Sequence, residues 1–197
     1  FMRTRKMRLV SALLAVAMLF VMLPPVGAFA ANSEMKDTTT QLKYRVEDDN
    51  TVIITGYAGN GPIVTIPARI EGKNVTAITD RAFDAGDYSG HPGKMNCQNI
   101  QEIKIEASLT RIGKEAFYEC TGLKKINLPD AITEIGEYAF SGCTGLEEIN
   151  LPDSIIKIGE YAFSYCSSLK NIHIPIGVTV IKEGTFQHCT ALADVSI

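Results

Sequence analysis

The sequence contains little histidine and lacks any arrangement of residues typical of a catalytic centre. Its three histidines are His91, His173 and His188. Catalysis needs a nucleophile beside a base, or metal ligands that converge from separate elements. His91 and His173 have no identifiable partner, and Cys189 belongs to an apolar column of the sequence while the adjacent His188 points elsewhere. We therefore predict no catalytic residues, no metal site and no cofactor, and we expect that the protein is not an enzyme.

An excess of basic residues is also absent. The chain has 19 Lys and Arg against 22 Asp and Glu, and four of the basic residues lie within the first thirty positions. Without that segment, 15 basic residues remain against 22 acidic ones. A surface that binds nucleic acid needs a basic patch. The composition therefore predicts that nucleic acid is not a partner.

The apolar run near the N-terminus, residues 9–23, is short for a helix that spans a bilayer. It has 15 residues, whereas a transmembrane helix needs ~20. Four basic residues precede it, Pro24 and Pro25 follow it, and Ala28-Phe29-Ala30 supplies the small residues of a signal-peptidase site. No cysteine follows the run, which excludes a lipid-modified cysteine. We predict a signal peptide over residues 1–30 and no membrane span after its cleavage, with an uncleaved N-terminal anchor as the alternative.

The rest of the sequence repeats every 23 residues. The phenylalanines of this repeat are Phe117, Phe140, Phe163 and Phe186, and the cysteines with the same step are Cys97, Cys120, Cys143, Cys166 and Cys189. A fixed period of this size indicates a solenoid, in which each unit buries its apolar face only against its neighbours. The period therefore predicts the architecture.

Each repeat contains a short strand followed by a turning segment. Residues 123–128 follow the pattern Leu-x-x-Ile-x-Leu, whose last three positions alternate as in a strand, and Pro129 ends it. We expect Gly136 to let the chain turn, residues 137–143 to form a short helical piece, and Gly145 to end that piece. The prediction is thus an α/β solenoid with a parallel sheet on one face and short helical turns on the other.

The N-terminal part of the predicted solenoid departs from the period. Residues 42–46 and 51–55 flank Asp48-Asp49-Asn50, a hairpin signal, and residues 63–66 form a further strand that ends at Pro67. We predict a flexible leader over residues 31–41, a β-hairpin cap over residues 42–74, and about five repeats over residues 75–197. The first repeat carries an insertion at residues 84–96, and the last repeat is incomplete.

The five cysteines occupy one slot of the repeat, facing the same way as the isoleucines and leucines. Free cysteine behaves as a small buried hydrophobe, side chains in one column point in parallel, and the number is odd. We therefore expect a ladder of buried thiols. Disulfides between stacked neighbours are the alternative, since exported proteins often contain them.

The repeat Leu-x-x-Ile-x-Leu-Pro-x-x-Ile-x-x-Ile-Gly-x-x-Ala-Phe-x-x-Cys resembles the BspA-like leucine-rich repeats, also called the Treponema pallidum type. The resemblance covers about residues 42–197. It implies a right-handed coil and an exported or surface-displayed bacterial protein that binds other proteins, often of the host matrix or of other cells. It implies no catalytic residues.

Two surfaces are candidates for binding a protein partner. The first consists of the outward strand positions of the stacked repeats, in two columns: Glu102, Lys125, Glu148, Asn171 and Asp194, and Lys104, Asn127, Asn150, His173 and Ser196. The second is the inserted loop, with Asp87, Tyr88 and His91. The alternatives are a solvated ladder in which Glu102, Lys125 and Glu148 neutralise each other, and an insertion without function.

These observations predict a secreted or cell-surface module for adhesion to host matrix proteins or other cells. The alternative is an accessory or spacer repeat region of a larger exported enzyme, or of a structural envelope protein. Both interpretations depend on the solenoid, whose register the structure tests.

Overall fold

The computed structural model describes residues 33–84 and 96–197. Within these ranges the chain forms thirteen short β-strands and one 3-10 segment, Asn96–Asn99. None of the described residues belongs to a helix with the length and apolar character needed to cross a bilayer. The predicted signal peptide, residues 1–30, lies outside the described residues.

Residues 35–78, which include the cap predicted over residues 42–74 and are called the cap below, contain six strands that begin both sheets of the protein. They are β1 (Met35–Lys36), β2 (Leu42–Val46), β3 (Val52–Tyr57), β4 (Ile63–Ile66), β5 (Arg69–Ile70) and β6 (Lys73–Ile78). β2 and β3 form the antiparallel hairpin that the sequence predicts. β1 pairs with β2, with Met35 opposite Tyr44. The expectation of a flexible leader over residues 31–41 is therefore wrong for Met35–Lys36, which forms an edge strand of the sheet.

The repeats contribute seven strands, and each pairs in parallel with its equivalent in a neighbouring coil. They are β7 (Glu102–Ile105), β8 (Arg111–Ile112), β9 (Lys125–Ile126), β10 (Glu134–Ile135), β11 (Lys157–Ile158), β12 (Asn171–His173) and β13 (Asp194–Ser196). Where two repeats pair with each other, opposed residues are 23 apart, as in Glu102 with Lys125 and Asn171 with Asp194. The sequence period is therefore the register of the solenoid.

Two stacks of strands run along the solenoid, where the sequence predicted one. The strand face, which carries the ten predicted binding residues, consists of β4, β7 and β9, two single bridges, and then β12 and β13. The second sheet consists of β8, β10 and β11, preceded by β3 and β6 of the cap. Strands of two residues leave too short an alternation to be recognised in a sequence, which is why the second sheet was missed.

The segment that follows β10 of the second sheet, residues 137–143, is not helical. Single turns are closed by the amides of Ser141 and Cys143, which donate to the carbonyls three residues earlier. Tyr138 and Gly142 interrupt them with φ of 54° and 76°. The amides of Tyr138 and Phe140 instead donate to the next coil, at 2.9 and 2.8 Å. The predicted helical piece is thus wrong, because these amides bond between coils rather than within one.

A stack of phenylalanine rings forms the centre of the core. Phe83, Phe117, Phe140 and Phe163 are fully buried. Their ring centroids are 5.1, 5.1 and 5.4 Å apart, and Phe186 continues the stack at 5.8 Å from Phe163. Parallel strands repeat every ~4.7–4.9 Å. Side chains in one slot of the repeat must therefore lie directly over one another, which explains the phenylalanine column.

Gly136 has a role other than the predicted one. It does not take the positive φ that would favour glycine in a turn, and that conformation occurs two residues later, at Tyr138. A Cβ on Gly136 would lie 2.6 Å from the backbone carbon of Gly113 and the nitrogen of Lys114. The absence of a side chain at this position therefore allows successive coils to approach closely.

The cysteine column is only partly a thiol ladder. Cys97 and Cys120 form a disulfide, with their Cα atoms 5.2 Å apart. Cys143 and Cys166 are free and buried, and Cys189 is free and half-buried. The expectation of five free thiols is wrong for the first pair, because the spacing between coils falls within the Cα separation that a disulfide requires.

Replacing Phe140 by alanine removes a ring enclosed by Phe117 and Phe163. We expect the free energy of unfolding to fall by about 3–5 kcal/mol, measured by urea denaturation followed by circular dichroism. The control is Ile156→Ala in the next coil, whose side chain is 64% exposed and whose loss should change stability by at most about 0.5 kcal/mol. Equal losses would contradict the central position of the ring stack.

Tyr44 in the cap predicts a dependence of stability on alkaline pH. Burial, with a hydrogen bond to Glu71, raises the pKa of its phenol from 10.0 to about 12. The folded state therefore holds this proton more tightly, and its contribution to stability is complete below pH 10 and is lost as the pH rises towards 12. Melting temperatures measured between these values should fall less for Tyr44→Phe than for the unchanged chain. A parallel fall would contradict this assignment.

Candidate binding surface

The structure places the ten predicted strand-face residues in two columns across adjacent coils. Glu102 lies opposite Lys125, Asn171 opposite Asp194, and His173 opposite Ser196. Single bridges join Asn127 to Asn150 and Glu148 to Asn171. All ten side chains are exposed except that of Glu102, which is half-buried. The predicted columns are therefore contiguous and accessible to a partner.

Asn127 has a structural role in addition to its exposed position. Its side-chain oxygen accepts a hydrogen bond from the amide of Ile105 at 3.0 Å, and its side-chain nitrogen donates to the carbonyl of Ile105 at 3.1 Å. The amide group thus pairs with the end of β7 as another strand would. Asn127 is therefore less available to a partner than Asn150, the equivalent residue of the next coil.

Four further strand-face residues pair within the surface. His173 Nδ1 lies 3.1 Å from the Ser196 hydroxyl. Lys104 lies 4.0 Å from Glu102 of the same strand, which is a weak contact for groups in water. These residues retain exposed polar atoms, but their own contacts compete with those of a partner.

The remaining strand-face side chains make no hydrogen bond or close ion pair with other described residues; they belong to Lys125, Glu148, Asn150, Asn171 and Asp194. In particular, Lys125 forms no ion pair with Glu102 or Glu148. The alternative in which these three charges neutralise each other is therefore not the arrangement in the structure.

A shallow cavity of 180 Å³ lies in this unpaired part of the strand face. Its lining residues are Lys125, Ile126, Asn127, Leu128, Glu148 and Asn150. Pockets that enclose small molecules have volumes of roughly 300–1,000 Å³. The size of this cavity favours a shallow surface contact over a small-molecule site.

The second sheet carries charges that neutralise each other. Arg111 lies 3.5 Å from Asp80 and 4.0 Å from Glu134, and Lys157 lies 2.7 Å from Glu134 on its other side. Negative and positive residues thus alternate along four adjacent coils. Sequence reasoning missed this ladder, although the 23-residue spacing of Arg111, Glu134 and Lys157 with alternating charge was a signal that could have revealed it.

Two other ion pairs join adjacent coils in the same way. Lys114 lies 3.1 Å from Glu137 and Lys170 lies 2.8 Å from Glu147. The hydrogen bond that Lys170 donates lowers the pKa of the Glu147 carboxyl, and the hydrogen bond that Lys114 donates to Glu137 raises the pKa of Lys114. These charged residues are already paired, in contrast to Lys125 on the strand face.

The loop candidates Asp87, Tyr88 and His91 lie outside the described residues, so the structure does not describe their positions. Among residues 33–84 and 96–197, no group of three or more His, Cys, Asp or Glu side chains is placed to hold a metal ion. The strand face is therefore the candidate site that the structure describes.

Comparison with known proteins assigns the repeats to one family. Residues 95–197 match the family described as BspA type leucine rich repeat region, in six copies. A leucine-rich repeat protein of T. pallidum has a similar structure, with 27% identity, a TM-score of 0.64 and 82% of each chain covered. No protein with a curated functional description matches the sequence.

Two longer solved structures resemble the chain as well. A leucine-rich cell surface protein from Faecalibacterium prausnitzii is 33% identical with a TM-score of 0.68, over 85% of this chain and 44% of that one. A leucine-rich repeat protein from Bacteroides ovatus is 33% identical with a TM-score of 0.71, over 83% and 41%. The chain thus spans less than half the length of these two proteins.

Replacing Asn127 by alanine tests its structural role. We expect the free energy of unfolding to fall by about 1–3 kcal/mol, because two hydrogen bonds to Ile105 are lost. Asn150→Ala is the matched control, since it removes the same side chain from the same slot of the next coil, where that side chain makes no hydrogen bond with any other described residue. Denaturation curves that shift equally for the two variants would contradict the pairing described for Asn127.

Proposed function

Because this chain belongs to the family of BspA-type leucine-rich repeat proteins, we propose that it is a secreted or cell-surface bacterial module that binds other proteins through its strand face. The module serves adhesion to host matrix proteins or to other cells. The similar structure from F. prausnitzii is that of a cell surface protein, which supports this assignment.

The observation that carries the proposal is the difference between the two sheets. Charges of the second sheet are already paired across coils, as in Lys157 with Glu134 at 2.7 Å. The Lys125 and Glu148 side chains of the strand face make no hydrogen bond or ion pair with another described residue. A partner can satisfy them without breaking an intramolecular bond, and unmatched charges select against wrong partners.

The composition of the strand face indicates the kind of contact. Its residues are polar, carry both signs of charge and include no tryptophan, tyrosine or arginine, the types that dominate strong binding sites. We infer an extended contact with a polar protein surface of complementary charge, in which many coils each contribute little. Such a contact suits adhesion, since several copies on one cell can act together.

Export is the second part of the proposal. We infer that residues 1–30 direct the chain out of the cytoplasm and are then removed. The disulfide between Cys97 and Cys120 supports an extracytoplasmic location, because disulfides persist in oxidising compartments and are rare in the cytosol.

Two double variants test the strand face with equal changes in composition. Lys125→Ala with Glu148→Ala removes one lysine and one glutamate from the strand face, and Lys157→Ala with Glu134→Ala does the same in the second sheet. We expect the first to weaken binding to immobilised extracellular-matrix proteins or intact cells roughly tenfold or more. The second should bind as the unchanged chain does.

Three outcomes bear on this experiment. No binding by the intact chain to any matrix protein or cell would refute the adhesion function, and equal losses for both double variants would refute the strand face as the contact. A third variant that lacks residues 85–95 measures the contribution of the loop with Asp87, Tyr88 and His91. If only this variant loses binding, the contact lies in the loop instead.

A further inference from the structure

The cysteine column contains one formed disulfide and three thiols in equivalent positions. Each cysteine lies 23 residues from the next, so it can reach only the cysteine of the preceding or the following coil. Cys120 is already bonded to Cys97. Cys166 can therefore pair with either Cys143 or Cys189, but not with both.

The backbone around Cys166 and Cys189 is held in the register that a disulfide needs. Before the cysteines, the amide of Tyr165 donates to the carbonyl of Gln187 at 2.7 Å; after them, the amide of Ala193 donates to the carbonyl of Lys170 at 2.9 Å. The coils that carry Cys97 and Cys120 are joined by the equivalent bond, from Lys124 to Gln101 at 2.9 Å. The same slot and the same register thus occur where a disulfide has formed.

Accessibility distinguishes the two possible partners of Cys166. Cys143 is fully buried, whereas Cys189 is half-buried. An oxidant must approach the first thiol from solvent, which Cys189 allows and Cys143 does not.

We propose that Cys166 and Cys189 form a second disulfide in the oxidised protein, leaving Cys143 as a buried thiol between two bonded pairs. The ionisation of the pair supports this order of reaction. A hydrogen bond from Cys166 lowers the pKa of Cys189, while burial raises the pKa of Cys143. Cys189 therefore supplies the thiolate, which is the nucleophile in disulfide exchange.

The reaction requires an oxidant that contains a disulfide. This oxidant is either a small molecule such as oxidised glutathione or a thiol oxidoreductase whose active-site cysteines form a disulfide. The Cys189 thiolate attacks a sulfur of the oxidant, forms a mixed disulfide and releases one thiolate. Cys166 then loses its proton, attacks the sulfur of Cys189 and releases the second thiolate. The two cysteines lose two protons and two electrons, and the oxidant is reduced to two thiols.

Peptide mapping of the full chain tests the pairing directly. The chain is incubated with oxidised glutathione, its free thiols are alkylated under denaturing conditions, and it is digested with trypsin without reduction. Lysine positions in the sequence place the five cysteines on separate peptides: 95–104, 115–124, 126–157, 158–170 and 183–197. We expect 158–170 to be linked to 183–197 and 126–157 to be alkylated.

The first disulfide is an internal control, because peptides 95–104 and 115–124 must be linked in the same digest. If they are linked while Cys166 and Cys189 are both alkylated, the proposal is wrong. A link between peptides 126–157 and 158–170 would also overturn it, since Cys143 would then be the partner.

Two variants of the cysteine column show whether the solvent exposure of Cys189, and not merely its closeness to Cys166, determines which disulfide forms. Cys143→Ala should keep the link between Cys166 and Cys189. In Cys189→Ala, a link between Cys143 and Cys166 should form about tenfold more slowly or not at all, because it must await local opening of a buried site. Formation at the rate of the unchanged chain would contradict the role assigned to the exposed thiol.

Discussion

The whole structure depends on the exact superposition of successive coils at the spacing of parallel β-strands. A single coil has too few apolar residues to offset the entropy lost when its backbone is ordered. Stacking adds backbone hydrogen bonds on both sheets and along the turns, and it buries the phenylalanine rings against one another. The close approach at Gly136 permits this spacing, and the cap supplies the first strands of both sheets.

The same superposition gives the two exposed sheets different chemistry. Side chains that are 23 residues apart are brought within contact distance of each other. The residue types in one slot of the repeat therefore decide whether the side chains of that column bond to one another. Arg111, Glu134 and Lys157 alternate in sign and pair. On the strand face, Lys125 has no close counterion among the described residues, and the Asn127 side chain bonds to the backbone of Ile105 rather than to the side chain of Asn150. Polar side chains without a partner among the described residues thus arise from breaks in complementarity between adjacent coils.

Much of this arrangement could be predicted because the period is long, exact and repeated. The register of the repeats, the buried phenylalanines and the positions of the strand-face columns all follow from residues that recur at 23-residue intervals. The hairpin of the cap follows from a different signal, the turn residues Asp48-Asp49-Asn50 between two strand segments. The second sheet and the turns could not be predicted, because two-residue strands carry no recognisable alternation. Hydrogen bonds between coils also hold residues such as Tyr138 at a positive φ that local preference disfavours. The positions of the loop residues lie outside the described ranges.

The sequence by itself determined which residues stack, since a fixed period leaves one register in which every apolar slot is filled. Only the tertiary structure decided what each stacked pair does. Small differences in distance and the direction of each side chain decide whether two cysteines form a disulfide and whether two charges form an ion pair. The same quantities decide whether an asparagine side chain faces solvent or bonds to a neighbouring backbone. Those quantities are set by the packing of whole coils, and no pattern of residue types along one chain specifies them.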